Sequence, residues 1–445
     1  MEKTINDFLD QDYHEYGMYT IENRAIPSVI DGFKPVQRKI IYIANKIWKT
    51  GSEKPLKVYQ LVGQLAAGAC YHHGPVSAEG AVISMAQSFK NSLPLLEELG
   101  AFGSLRDPAP GSSRYISTKT NQNFRLLYKD FEILEPRYED GTPIEPKFFL
   151  PIIPTVLLNG SSGIAVGFAT NILNRNPLEL VDACLAVLDN KKFKPLLPWN
   201  AFFKGEVNLL EGKKYQFKGV YKIVNTSTVE VTELPLSMTY EKYEAILDKL
   251  EADGKIQSYE NNCSDNVSYI LKFTRADLAE LIKKDGLIKL LKLAETDTEN
   301  LTCLDERGKL VIFNSHIELI EYFVKFRLSQ YTKRKAYLLE TLNSQNRILE
   351  NRIRFIKAII SGELVVNSRQ KKTIEADLAA GEYMELEGNY DYLLNMPIHS
   401  LTEERLKSLE RDLAENSVKI AEITKTAEVD MYKTDLKELR KKISK

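Results

Sequence analysis

Apolar and polar positions divide the chain into three regions of different texture. Over residues 24–90 the apolar residues recur with helical spacing. Positions 36–48 carry one stripe, and 56–70 and 77–90 carry two more, separated by Tyr71-His72-His73-Gly74-Pro75. Pro27, Gly32 and Pro35 punctuate the entry to the first stripe. Three short helices with basic residues at their starts predict a winged-helix or helix-turn-helix unit. Residues 1–23 read as a helical arm before it, and 100–118, rich in Gly, Pro and Ser, as loop.

From about 148 to 310 the pattern is mixed. Strands are predicted over 148–154, 163–168, 220–234 and 267–273, and helices over 177–188 and 240–251, which makes an α+β domain. The polar run holding Glu295, Asp297 and Glu299 reads as solvated loop rather than a metal cluster. Beyond it a heptad seam runs through Leu328, Tyr331, Lys335, Leu338, Leu342, Gln345, Leu349, Arg352, Ile356 and Ile359. A second seam runs through Leu406, Leu409, Leu413, Asn416, Ile420, Ile423 and Ala427, then slips phase and resumes at Leu436, Leu439 and Ile443. Between them lies a short segment broken by Gly362, Gly381, Gly388 and Pro397. Two long helices flanking a small globule predict an antiparallel coiled coil with a knob at its tip; two ordinary bundle helices are the alternative.

Length and composition set outer bounds. A chain of 445 residues is too long for one core and predicts two to four structural units. With 43% hydrophobic and 27% charged residues it belongs to the globular class. No apolar run reaches bilayer-spanning length, and the opening MEKTINDFLDQD has no signal-peptide core, so a cytoplasmic protein without membrane partners is expected. Cys70, Cys184, Cys263 and Cys303 are far apart and form no C-x-x-C pair, which predicts reduced thiols.

The net charge of −1 gives no hint of nucleic acid, but its distribution does. Residues 24–57 hold eight basic side chains against two acidic ones, Asp31 and Glu53. Such a patch can grip a phosphate backbone, and it can equally be a solvated helix face.

Candidate chemistry concentrates at Gly111-Ser112-Ser113-Arg114-Tyr115. A tyrosine has an ordinary pKa near 10, so only about one in a thousand is phenolate at neutral pH and a nearby cation must activate it. Arg114 supplies a permanent charge that forks onto phosphate oxygens. His73 could donate to a non-bridging oxygen as charge builds. Exchange of one phosphodiester for another is close to thermoneutral, which keeps a tyrosyl-DNA bond resealable. One Arg-Tyr pair among 22 tyrosines is weak by itself. His72 and His73 fit no common zinc spacing, and the glycine-rich run 160–167 lacks the Lys-Ser/Thr ending of a P-loop.

Longer motifs narrow the choice. The run Arg24-Ala25-Ile26-Pro27-Ser28-Val29-Ile30-Asp31-Gly32-Phe33-Lys34-Pro35-Val36-Gln37-Arg38-Lys39 closely resembles the opening of the type IIA DNA topoisomerase cleavage domain. Tyr71-His72-His73-Gly74, Gly100-Ala101-Phe102-Gly103-Ser104, Ser113-Arg114-Tyr115 and the glycine-rich run from Asn159 to Gly167 resemble further family blocks, in family order. Within that family (the gyrase A, topoisomerase IV A and eukaryotic topoisomerase II core group) the chain looks most like the separate cleavage subunit of the T4-like phage branch. The histidine block has the eukaryote-like form, and the chain stops at the coiled coil, where gyrase continues into a DNA-wrapping domain.

The resemblance implies an α+β multidomain architecture. It comprises an N-terminal arm (1–23), a winged-helix DNA-cleavage domain (24–147), an α+β tower (148–312), a coiled-coil arm (313–365 and 402–445) and a small helical exit gate (366–401). It implies Tyr115 as the nucleophile forming a 5′-phosphotyrosyl bond, with Arg114 and His73 stabilising the phosphate. Arg24, Lys34, Arg38, Lys39 and His72 would hold the DNA backbone, and Ile164 would wedge between base pairs. It also implies a two-fold dimer on double-stranded DNA. A partner ATPase/TOPRIM subunit would bind the Mg2+ and ATP, with no metal held by this chain. Gln37 departs from a histidine common in bacterial members, which puts that DNA contact in doubt. A non-catalytic DNA-architectural protein is the alternative of another class, and an ATP-independent tyrosine nuclease or recombinase is a third.

Overall fold

The structure is a computed structural model that describes residues 8–264, 266–367, 369–397 and 402–444, with side chains from residue 11 onward. Residues 1–7 of the expected arm and 398–401 of the expected gate lie outside the described residues. The chain separates into two compact units: the residues up to Arg327 together with those from Lys433 onward, and the residues from Leu328 to Tyr432.

The first unit opens with helix α1, His14–Thr20, flanked by π-helical turns at Phe8–Tyr13 and Ile21–Ala25. Helix α2, Pro35–Ile47, carries a proline at its first turn, where the missing N–H costs nothing. Its apolar stripe buries Ile40, Ile41, Ile43 and Ala44 against α3, Val58–Gly68, and α4, Pro75–Ala86. Both α2 and α3 begin with a glutamine reaching back one turn: Gln37 Oε1 accepts the Lys34 N–H at 2.9 Å and Gln60 Oε1 the Lys57 N–H at 3.0 Å. Gln37 therefore has a capping role that its departure from the bacterial motif does not suggest. A two-strand ribbon, β1 (Leu56–Lys57) against β2 (Ser117–Thr118), joins the start of α3 to the end of the 100–118 loop.

Further along, the α+β expectation holds while several boundaries move. Of the expected strand 148–154 only Leu150–Pro151 is strand, and the chain then enters a short helix, Thr155–Asn159. The expected strand 163–168 straddles a hairpin of β3, Ser161–Ile164, and β4, Ala169–Ile172. The expected strand 220–234 is likewise two strands, β5 (Val220–Asn225) and β6 (Thr228–Glu233), and its Asn225-to-Thr228 turn falls inside a run of strand-forming residues. With Ser258–Asn261 and Tyr269–Lys272 they form a four-stranded antiparallel sheet. Burial alternates along β6, so Val229 and Val231 pack with Tyr243, Leu247, Tyr269 and Leu271 of the surrounding core.

A three-stranded sheet of Glu206–Leu209, Lys214–Lys218 and Ala294–Thr298 is not legible in the sequence, and the supposed loop at 294–299 is its edge. The alternating acids there have internal partners. Glu295 accepts the Ser237 N–H at 2.6 Å, Asp297 accepts from Asn171 at 2.8 Å, and Glu299 forms a fully buried pair with Arg175 at 2.8 Å.

The second unit is built on the helices His316–Ile360 (from Leu328 on) and Glu403–Lys425, with the first turn of Glu428–Ile443. Tyr331 stacks on Tyr432, Lys335 pairs with Glu428, Asn346 Nδ2 lies 3.5 Å from Ser417 Oγ, and Lys357 pairs with Glu410. Partners descend on one side as they ascend on the other, so the pair is antiparallel. Ile353, Ile356 and Leu409 form its apolar seam, with Leu349, Leu406 and Leu413 against them. At one point the seam shifts by a residue: Asn346 is buried where Gln345 is expected. The turn between the helices carries a separate small core of Phe355, Leu364, Ile374, Leu378, Tyr390 and Leu393.

Candidate functional site

The first basic segment folds around Asp31. Its carboxylate accepts Arg38 Nε at 2.7 Å and Nη2 at 3.0 Å, the Phe33 N–H at 3.1 Å and the Phe149 N–H at 3.0 Å. Its carbonyl accepts Thr155 Oγ1 at 2.7 Å and Tyr128 Oη at 3.0 Å. Gly32 has φ +71°, and a Cβ there would stand 2.7 Å from the Val156 nitrogen, so only glycine fits this turn. Burial of the Arg38 guanidinium works against its charge, but the adjacent Asp31 carboxylate outweighs it and raises the pKa.

Two of the cations expected on DNA are also tied within the fold. Arg38 is buried on Asp31, and Lys39 Nζ is held by the Ala69 carbonyl at 2.6 Å and by Glu145 at 3.0 Å.

Around this knot opens a cleft of about 990 Å³. Its walls bring together Arg24, Lys34, Arg38, Lys39, His72 and His73, and they add Arg137, Lys147 and Arg307. Sequence reasoning missed these last three, since each is an isolated cation in its own segment and only the fold collects them. Lys34 Nζ donates to the Ser162 carbonyl at 2.6 Å, and burial lowers its pKa from the ordinary lysine value. His72 Nε2 lies 3.4 Å from Glu139 Oε1 on the open side. The His73 ring stands edge-on to Tyr71 at 5.5 Å, and its Nε2 lies 3.2 Å from Tyr19 Oη.

Arg114 and Tyr115 do not line this cleft. They sit on the turn leading into β2. Tyr115 is 72% exposed, and its hydroxyl has no hydrogen-bond partner among the described residues. The Arg114 guanidinium lies 6.0 Å from the Tyr115 ring centre. The backbone beneath is well tied. The Tyr115 N–H donates to the Ser112 carbonyl at 2.8 Å, Lys57 Nζ donates to the Tyr115 carbonyl at 2.8 Å, and the Val58 N–H to the Ile116 carbonyl at 3.2 Å. The loop before it is anchored by Arg106, which is buried in an ion pair with Glu233 and donates to the carbonyls of Pro235 (2.7 Å), Met238 (2.8 Å) and Leu234 (2.9 Å). The Tyr115 phenol is thus presented to solvent, next to a cation, on a fixed support.

Ile164 stands at the end of β3, 87% exposed, with Phe168 partly exposed across the hairpin tip. The hairpin lies directly against the basic segment: a Cβ at Gly163 would stand 2.3 Å from the Ala25 carbonyl, so this strand position requires glycine. The Lys34-to-Ser162 bond fastens the same junction.

Among the described residues no group of three or more His, Cys, Asp or Glu could hold a metal ion, and no helix is long and apolar enough to cross a membrane. Burial raises the Cys184 and Cys303 thiol pKa values well above their ordinary range, so both are inert.

Comparison with known proteins agrees with this geometry. The family of DNA gyrase/topoisomerase IV A-type subunits matches residues 24–438. The DNA topoisomerase medium subunit of Enterobacteria phage T4 is 35% identical over 446 residues, covering 98% of this chain and 99% of that one. The mitochondrial DNA topoisomerase 2 of Dictyostelium discoideum is 33% identical over 461 residues, covering 100% of this chain and 35% of that one. The chain therefore spans about a third of that relative's length. In three dimensions it is similar to the crystal structure of the DNA-binding, cleavage and re-ligation domain of Plasmodium falciparum topoisomerase II. The TM-score is 0.90 at 31% identity, covering 98% of this chain and 64% of that one. Motif, fold and whole-length similarity agree, and the chain belongs to the family of DNA gyrase/topoisomerase IV A-type subunits.

Proposed function

We propose that this chain is the DNA-breaking and rejoining subunit of an ATP-dependent type IIA topoisomerase, with Tyr115 as its nucleophile. The observation that carries this reading is the free, exposed Tyr115 hydroxyl beside Arg114 on a tethered turn. Tyr115 Oη attacks a DNA phosphorus, the P–O3′ bond breaks, and the phosphorus remains on the tyrosine as a 5′-phosphotyrosyl ester. The phenol proton passes to solvent and the departing 3′-oxygen takes one up. Rejoining is the same exchange in reverse. Arg114 and His73 stabilise the phosphate as its charge builds.

In this reading the winged-helix unit of α2, α3 and α4 lies on the gate DNA. Arg24, Lys34 and His72 face the backbone, with Arg38 and Lys39 in the same cleft wall, each also paired with a carboxylate. Ile164 inserts between base pairs and bends the duplex. The antiparallel helices form a coiled-coil arm, and the small core between them a dimer gate, so that two copies each cut one strand.

The loop 111–116 carries no carboxylate, and among the described residues no group of three or more His, Cys, Asp or Glu could hold a metal ion. Mg2+ and ATP belong to a partner ATPase/TOPRIM subunit, and the assembly works in the cytoplasm, on host DNA if phage-encoded.

A Tyr115→Phe chain assembled with its partner tests this. It binds duplex DNA as the unaltered chain does and leaves no polypeptide attached to DNA after SDS denaturation. Persistent covalent attachment would exclude Tyr115.

A further inference from the structure

The arm before the basic segment reaches into the cleft. Tyr19 closes the last turn of α1, whose Gly17 and Thr20 are buried, so the arm is seated. The Tyr19 ring is itself partly exposed and adds little to any core. Its hydroxyl instead lies 3.2 Å from His73 Nε2, while the largely buried Tyr71 ring closes on the same imidazole edge-on. Tyr19, Tyr71 and His73 all line the cleft that contains Arg24 and Lys34. An otherwise free imidazole could turn over and offer either nitrogen. A hydrogen bond to one nitrogen holds the ring, and where the hydroxyl donates, the proton of a neutral ring resides on the other nitrogen.

We propose that Tyr19 is a positioning residue for His73: its hydroxyl holds Nε2 so that Nδ1 presents its proton to the DNA phosphate. With a neutral ring, Tyr19 donates to Nε2 and the proton resides on Nδ1. With a protonated ring, Nε2 donates to Tyr19 and Nδ1 still carries its proton. With Tyr19 as donor to the neutral ring, Nδ1 is a donor in both states. The inference rests on the reading of His73 as a phosphate-stabilising group.

A double-mutant cycle on the partner-bound holoenzyme tests it, with single-turnover formation of the covalent complex and duplex affinity measured separately. Tyr19→Phe removes the hydroxyl and keeps the ring. Loss of one hydrogen bond slows cleavage about twofold to tenfold with affinity unchanged. In a His73→Ala background the same change has no further effect. Wild-type cleavage by Tyr19→Phe overturns the inference, as does a slowing that multiplies with that of His73→Ala. Wild-type cleavage by His73→Ala removes the role of His73 and this inference with it, yet leaves Tyr115 as nucleophile. Peptide mapping of the DNA adduct to another residue is the separate outcome that removes the Tyr115 reading.

Discussion

The Lys57 ammonium lies 2.8 Å from the Tyr115 carbonyl oxygen, so the residue that begins α3 also grips the backbone of the proposed nucleophile. Lys57 pairs with Ser117 in the β1–β2 ribbon, and the next residue donates to Ile116. The turn carrying Tyr115 is thereby a continuation of the helical core rather than a free loop. Such support is what a displacement in line with phosphorus requires, because small misplacements are costly in rate.

Lys57→Ala should therefore act on rate more than on stability. The bond is solvent-exposed, so the melting temperature should stay within the shift expected of about 1 kcal/mol or less. The single-turnover rate of covalent complex formation should fall roughly threefold to tenfold through looser placement of Tyr115. Unchanged cleavage kinetics would show that the ribbon alone sets the turn.

Arg38 should prove to be a residue of the fold. Removing one member of a buried, hydrogen-bonded pair strands the other charge, at a cost of about 3 to 5 kcal/mol. Arg38→Ala should lower the unfolding free energy measured in urea by that much, since the Asp31 carboxylate would lose two of its four hydrogen bonds. Loss of DNA affinity with unchanged stability would return Arg38 to the DNA surface.

The sequence makes the neighbourhood of the proposed nucleophile legible and leaves the direction of its cations hidden. Helix Pro177–Leu188 is predicted with its observed bounds because Asn176 caps it and proline opens it, both local signals. The sheet containing Ala294–Thr298 escapes sequence reading because its acids alternate without apolar neighbours, and their partners, Ser237, Asn171 and Arg175, lie far away in the chain. The resemblance assigns Arg38 to DNA, and the fold adds that it stands one turn before Ile41 on the buried face of α2 and pairs with Asp31 seven residues earlier. The wedge position at Ile164 comes from the resemblance, and a strand assigned across 163–168 conceals that the residue sits at a hairpin tip.

That tip gives a clean separation of folding from function. At 87% exposure Ile164 packs on almost nothing in the free chain. Ile164→Ala should leave the melting point within the range of ordinary surface substitutions, about 0.5 kcal/mol. Fluorescence energy transfer across a doubly labelled duplex should report a reduced bend, because the apolar wedge is lost. An undiminished bend in the variant complex would rule out the wedge.

The last prediction concerns pH and lies away from the DNA surface. His316, at the first turn of the helix His316–Ile360, is buried and accepts the Leu196 N–H at Nε2, 2.9 Å away. Burial, reinforced by the charge of Arg175, pulls its pKa down to about 4. The unfolded chain has an ordinary histidine near 6.5. A folded value below the unfolded one favours the neutral ring in the native state, so this contribution is complete above about pH 6.5 and declines as pH falls towards 4. Between pH 7.5 and pH 5 the loss should be on the order of 2 kcal/mol. Urea unfolding of the chain and of a His316→Gln variant at both pH values isolates the effect. The gap between their stabilities should narrow by that amount on acidification. A gap independent of pH would mean that His316 takes up a proton in the folded protein as readily as in the unfolded chain and that Leu196 does not hold it neutral.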